Sequence, residues 1–267
     1  MLDYDKEAEA YDASRGGEAR AEAAADAVLG LIPDSPAGPG GPAGPGSSAA
    51  PDRSGRLLDL ACGTGIVTRR LAAARPALQV VGADRAPGMA RRAAARLPGS
   101  IALADSRQLP FNDGTFDAVT TVWLLHLIAD TGEVRAIVSE CARVLRPGGV
   151  YVTTVDKAAA HDVGSDIDAV LAPRPRRPVT DAADAVTAHA AAHGLLPAGQ
   201  AVFTGRGQGR SPRSTIADLR RGWFTVLRPG DPRVEEFAAR LAALPDQDRR
   251  RPDPCFAVRA FRKPAAG

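Results

Sequence analysis

The sequence predicts an α/β fold, a mostly parallel sheet with helices on both faces. Three observations predict it. Beyond residue 55, short apolar runs alternate with longer helix-favouring runs. Strands separated by helices pair in parallel through right-handed crossovers. The first of these strands breaks at Cys62-Gly63-Thr64-Gly65, a tight joint into a helix. A chain of 267 residues is long enough for one such domain, or for a domain with a small added lobe.

Residues 3–31 read as a helical region, with "EARAEAAADAVLGLI" strongly helix-favouring. Residues 33–55 are so rich in Pro, Gly and Ser that they read as a flexible linker. Strands follow at 56–61, 78–83, 100–104, 116–123 and 149–155, with helices at 66–75, 87–97 and 132–146. "LRPGG" at 145–149 stops the last of these helices. A loop at 156–179 leads to a helix at about 180–193 and a strand near 199–204. Helices at 213–228 and 232–243 precede a last strand at 255–263. The expected organisation is an N-terminal helical cap segment (1–32), the linker (33–55) and an α/β domain (56–267). A helical substrate insertion falls at about 207–250.

Composition narrows the function. No run approaches ~18 apolar residues, so no transmembrane helix is expected. The polar, acidic N-terminus has neither the basic start nor the apolar core of a secretion signal, so none is expected. Three dispersed cysteines read as free thiols of a reducing, cytoplasmic setting. The net charge is +3, but only three of the 34 basic residues are Lys, and the arginines are interspersed with acids. "RPRRP" at 174–178 is read as a solvated loop. Neither nucleic acid nor membrane is therefore expected as a partner.

Chemistry concentrates around the glycine joint. Asp59 lies near the end of the first strand, where a buried carboxylate needs donors. Gly63 and Gly65 permit a tight turn and close approach of a ligand to the backbone. The next helix aims its N-terminal N–H groups at that ligand. A dinucleotide fingerprint would place a third glycine where Thr68 stands. The second strand ends in Asp84, suited to two ribose hydroxyls, and the third in Asp105.

In order, "LDLACGTG", "VVGADRAPGM", "LADSRQLPFNDGTFDAV", "LLHLIAD" and "RVLRPGG" resemble a class I S-adenosylmethionine-dependent methyltransferase. The branch is that of the ubiquinone/menaquinone C-methyltransferases and many small-molecule O- and N-methyltransferases. The match is dense over about 56–155, and "YDKEAEAYDASRGG" resembles the branch's entry segment. The resemblance implies a Rossmann-like seven-stranded sheet, mostly parallel with the last strand antiparallel, helices on both faces, and a helical cap. It implies S-adenosylmethionine as cofactor, S-adenosylhomocysteine as product, and no metal.

It also implies roles. Asp59 and the backbone from Ala61 through Gly63, Thr64 and Gly65 would follow the methionine part. Asp84 would take the ribose, Arg85 and Met89 would flank the adenine, and Asp105 with Ser106 would meet its amine. Val122 and Trp123 would line the wall near the sulfonium. Tyr4 and Tyr11 would close over the cofactor, and Arg15 would pair with its carboxylate. Each has a plain structural alternative: a turn for the glycines, a helix cap for Asp84, a turn for Asp105, core packing for Trp123 and the tyrosines.

His126 is the candidate general base, because it stands where the family often carries Leu-His-His; Leu127 replaces the second His. The alternative is a His that only shapes the pocket. Asp156, Lys157, His161 and Asp162 face the substrate or form an exposed turn. His189 and His193 have metal-ligand spacing but no evident third ligand, so they read as an exposed helix face. Trp223 and Phe224 are candidate lid aromatics in the insertion, or core of that lobe.

The expected activity is methylation of an O or N of a small metabolite, in specialised natural-product biosynthesis. The alternatives are C-methylation of a quinone-type ring, or a non-catalytic cofactor-binding partner subunit. An RNA or protein substrate is disfavoured, because no clustered Lys and no Asn-Pro-Pro-Tyr-type motif is present. Monomer and homodimer both remain open.

Overall fold

The computed structural model describes residues 4–7, 9, 11–34, 55–172, 179–222, 227 and 230–265. Among the described residues, α1 (Tyr4–Glu7), α2 (Tyr11–Ser14) and α3 (Gly17–Leu29) precede the sheet. The left-handed backbone of Gly16 and Gly17 turns the chain between α2 and α3. The strands are β1 (Arg56–Leu60), β2 (Gln79–Asp84), β3 (Ile101–Leu103), β4 (Phe116–Thr121), β5 (Leu145–Val155), β6 (Leu196–Thr204) and β7 (Cys255–Arg262). They form one seven-stranded sheet in the order β3-β2-β1-β4-β5-β7-β6. Pairing is parallel from β3 to β5, and β7 runs antiparallel to both β5 and β6. The Rossmann-like sheet with its reversed last strand is therefore as expected.

Alternation along β1 divides the core. Leu58 and Leu60 face one cluster with Val119, Ile137, Cys141, Tyr151 and Phe261, under α6 (Thr131–Val144) and α9 (Ala183–Ala192). Leu57 faces the other with Val80, Val152 and Phe256, under α3 and α4 (Ile66–Ala74). Ala21, Ala24, Ala25 and Val28 make the buried stripe of α3. A third cluster joins α8 (Asp166–Leu171), α10 (Pro212–Arg220) and α11 (Pro232–Ala242) through Leu171, Leu219, Phe237 and Leu241. This is a separate helical lobe between and beside the last strands.

Several boundaries differ from expectation. Residues 145–149 belong to β5, whose pairing with β4 shifts register there. Pro147 forbids more helix and biases Arg146 to extended backbone. The 156–179 loop contains α7 (Lys157–Ala160) and α8, the latter fixed by a Ser165/Asp168 capping box. β6 begins at Leu196, because pairing with β7 rather than alternation defines it. α10 stops at Arg220, before left-handed Gly222. Trp223 and Phe224, most of the linker, and "RPRRP" lie outside the described residues. No helix among the described residues is long and apolar enough to cross a membrane.

Candidate functional site

Strand order reverses between β1 and β4, so the crevice beyond their C-terminal ends is where an open α/β sheet binds ligands. The glycine joint lies there, and its two glycines do different things. Gly63 has φ +57°, and a Cβ built on it meets nothing within 4 Å. Gly65 has φ +77°, and its Cβ would fall 2.9 Å from Ala93 on α5 (Pro87–Arg96). The first leaves open space beside the loop; the second lets two helices pack.

Asp84 ties this loop to β2. It accepts from Gly63 N–H at 2.8 Å and from Ala86 N–H at 2.9 Å. Burial raises its carboxyl, and those amides pull it back. Asp59 accepts from Thr68 Oγ1 at 2.6 Å, and burial pushes it up to about 7. Thr68 thus uses the place of a third glycine to bond strand to helix.

Three non-glycine residues hold left-handed backbone just past the ends of adjacent strands: Ala61 after β1, Trp123 after β4, and Asp156 after β5. Each costs on the order of 1–2 kcal/mol, a kind of strain that clusters at functional sites. Trp123 N–H donates to Thr154 Oγ1 at 2.8 Å, which holds that turn. Asp156 accepts from Ala183 N–H at 3.1 Å and so starts α9.

The leader covers the crevice. Asp5 accepts from Gly88 N–H at the start of α5. Asp12 accepts from Thr64 Oγ1 and pairs with Arg96, both at 2.6 Å. Arg96 also donates to Thr64 O at 2.6 Å. The rings of Tyr4 and Tyr11 lie 6.2 Å apart. Burial raises Tyr4, and the nearby Tyr11 and Asp84 add to that. Arg15 sits 5.8 Å from the Tyr11 ring centroid. Arg20 on α3 is only 5% exposed and lies 4.0 Å over the Trp123 ring.

The opposite wall carries His126, on a short 3₁₀ turn after β4, with Lys157 and His161 of the α7 segment. Lys157 Nζ is 3.5 Å from His161 Nε2. Burial holds His126 well below the ordinary histidine range, and the charges of Lys157, His161 and Arg15 push the same way. Burial, then Arg15, Arg210 and Arg20, bring Lys157 down to about 7.

Other expected residues stand further out. Asp105 is half-exposed and forked by Arg107, with Nη2 at 2.6 Å, which holds it at about 2. Arg85 is exposed, Ser106 half-buried, and Met89 and Val122 are buried. Asp162 is exposed. His189 and His193 sit half-buried at the end of α9, away from the strand-end crevice. Among the described residues, no group of three or more His, Cys, Asp or Glu is placed to hold a metal ion.

The residues present suit S-adenosylmethionine. Gly63 leaves a cradle that a Cβ would fill. Acidic Asp59 and Asp84 suit a cationic, hydroxyl-bearing ligand. A sequence family described as a methyltransferase domain matches residues 58–153, the segment that builds this site. Over that segment the chain is similar to the class I S-adenosylmethionine-dependent methyltransferases. A ubiquinone/menaquinone biosynthesis C-methyltransferase of Desulfotalea psychrophila is 39% identical over 99 residues, 36% of this chain and 39% of that protein. A demethylmenaquinone methyltransferase of Thermus thermophilus is 44% identical over 102 residues, 36% of this chain and 45% of its own length. The chain thus spans less than half the length of those curated relatives.

Two solved structures share the fold. The [4+2]-cyclase SpnF aligns with a TM-score of 0.52 over 80% of this chain and 76% of its own, at 24% identity. A Methanosarcina mazei S-adenosylmethionine-dependent methyltransferase gives 0.51 over 80% and 94%, at 16% identity. A fold shared by a cyclase and a methyltransferase does not decide the reaction.

Asp12, Arg20 and Arg96 stand around this crevice but carry no sequence motif. Only one hint existed: acids at Asp5 and Asp12 in a leader that precedes a Gly-rich loop.

Proposed function

We propose that the chain transfers a methyl group from S-adenosylmethionine to an O or N atom of a small metabolite, in specialised biosynthesis. The open space beside Gly63, with Asp12 of the leader bonded to the next residue Thr64 and Asp5 to Gly88, supports this reading. When bound, the cofactor supplies a sulfonium methyl whose C–S bond breaks as the acceptor bond forms, leaving a neutral thioether.

The chain's part is to bind, orient and exclude water. Asp84 accepts from the ribose hydroxyls while the Gly63 and Ala86 amides hold its oxygens in place. The leader, latched through Asp12 to Thr64 and Arg96, covers the site against solvent. His126 takes the acceptor's hydroxyl proton, since its lowered affinity for protons keeps the imidazole neutral at working pH. Asp105 reaches the adenine amine only by sharing its oxygens with Arg107.

C-methylation of a quinone-type ring is the second reading, favoured by the names of the relatives over 36% of the chain. Incubation with methyl-labelled S-adenosylmethionine and a panel of phenols, alcohols, amines and hydroquinones separates them. Label in an O- or N-methyl product, lost for hydroxyl acceptors in His126→Gln, supports the first. Label on ring carbon overturns it in favour of the second.

A further inference from the structure

His126 stands on a three-residue 3₁₀ turn, Leu125–Leu127, just past the end of β4. Within the turn, Leu127 N–H donates to Leu124 O at 2.9 Å, and Ile128 N–H to Leu125 O at 3.2 Å. A single 3₁₀ turn is a weak mount for a side chain that must be aimed. Thr180, 55 residues beyond Leu125, braces it. Its Oγ1 donates to Leu125 O at 3.1 Å and to Ile128 O at 2.7 Å. One carbonyl lies before His126 in the chain and the other after it. Thr180 is only 3% exposed, so water competes little for its hydroxyl.

Asp181 braces the neighbouring turn. It is 2% exposed; its Oδ2 accepts from Lys157 N–H and its backbone O from Asp156 N–H, both at 2.9 Å. Asp156, in left-handed backbone, accepts in return from Ala183 N–H at 3.1 Å. Residues 180–183 thus tie the turns past β4 and β5 to the start of α9. The glycine loop is fixed by other bonds, to Asp84 and Asp12. Any buried carbonyl needs a donor, so stability alone would place a hydroxyl near Ile128 O. Leu125 O, however, already has the Ile128 N–H, and Thr180 adds a second donor to it. The two bonds fall on both sides of the proposed base, whose position must hold to about 0.5 Å for efficient proton transfer.

We infer that Thr180 is a positioning residue for the proton transfer: by donating to Leu125 O and Ile128 O, it fixes the turn that aims the His126 imidazole at the acceptor's hydroxyl. This rests on the methyl-transfer reading with His126 as the base. As the methyl–oxygen bond forms and the C–S bond breaks, the hydroxyl proton passes to His126. Thr180 keeps its own proton throughout and touches neither partner.

The test compares Thr180→Val, which removes the hydroxyl at similar size, with Thr180→Ser, which keeps it. The readout is the imidazole ring proton signals of the full chain with S-adenosylhomocysteine. The chain has four histidines, and His126→Gln identifies the signal of interest. Spectra are taken at one pH, so that Lys157, His161 and Arg15, which face His126, carry the same charge in each variant. Thr180→Val should move the His126 signal and leave those of His189 and His193 on α9 in place; Thr180→Ser should restore it. S-adenosylhomocysteine affinity should stay within about threefold in both. With any hydroxyl acceptor that is turned over, Thr180→Val should lower kcat about tenfold or more at a KM within about threefold. An unmoved His126 signal, no rescue by Ser, or equal movement of the α9 histidines overturns the inference, the last by reducing Thr180 to a support of the helix. If the Val variant does not fold, Thr180→Cys, a weaker donor, should displace the His126 signal partway, and an unmoved signal there overturns it too. The ring signals can be read without S-adenosylhomocysteine, so failure of the parent chain to bind it sinks the methyl-transfer reading separately.

Discussion

Alanine substitutions at Gly63 and Gly65 should separate binding from packing. Both glycines have positive φ, so each alanine costs on the order of 1–2 kcal/mol in backbone strain. At Gly63 nothing in the protein lies within 4 Å of the new Cβ, so strain is the whole stability cost. At Gly65 the Cβ would sit 2.9 Å from Ala93 Cα and Cβ, adding overpacking of about 1–3 kcal/mol. Urea denaturation should therefore show Gly65→Ala losing about 2–5 kcal/mol and Gly63→Ala about 1–2. Calorimetry with S-adenosylhomocysteine should show the reverse order. Gly63→Ala places a methyl in the ligand's space and should weaken binding at least about tenfold, or ~1.4 kcal/mol. Folded Gly65→Ala should bind within about threefold of the parent. Intact affinity in Gly63→Ala, or an undiminished stability in Gly65→Ala with lost affinity, would refute this division.

Asp12→Ala removes the bonds to Thr64 and Arg96. It should raise amide exchange in residues 4–15 and weaken S-adenosylhomocysteine about tenfold, as loss of charged hydrogen bonds predicts; unchanged exchange would disprove the latch. Asp59 sits at about 7 in the fold, far above an unfolded carboxyl. The folded state therefore holds a proton the unfolded chain has lost, and this group's stability falls as pH rises from ~4 to ~7. Urea melts across that range should show the fall, and Asp59→Asn should flatten it; an unchanged slope would contradict a buried carboxyl. For a hydroxyl acceptor, kcat/KM should carry an acid limb set by His126, whose affinity for protons is lowered by burial and by the charges of Lys157, His161 and Arg15. The acid limb should lie below the ordinary histidine range; a limb at the ordinary value would exclude His126 as the base.

Much of this was legible in the chain because local physics wrote it. The β1–α4 joint needs glycine for its left-handed turns, and Asp84 ends a strand beside it. Contacts between distant segments left no local trace. Arg20 looks like one more exposed charge of a helix, yet α3 packs it against Trp123, over 100 residues away. Arg96 likewise reads as a surface arginine but clamps the leader to Thr64. β6 shows no alternation because it lies at the sheet edge and is exposed along most of its length. The ends of α10 and β5 are not legible in the sequence, because Pro147 and Gly222 act through backbone conformation that the surrounding pairing decides.

The central claim is that the crevice over Gly63 and Asp84 holds S-adenosylmethionine. Calorimetric titration of the full chain with S-adenosylhomocysteine, beside Asp84→Ala and with NAD as control, tests it most directly. Saturable binding that Asp84→Ala weakens strongly, with NAD silent, is the predicted result. NAD binding with S-adenosylhomocysteine silent would contradict the claim and return the glycine turn to a dinucleotide.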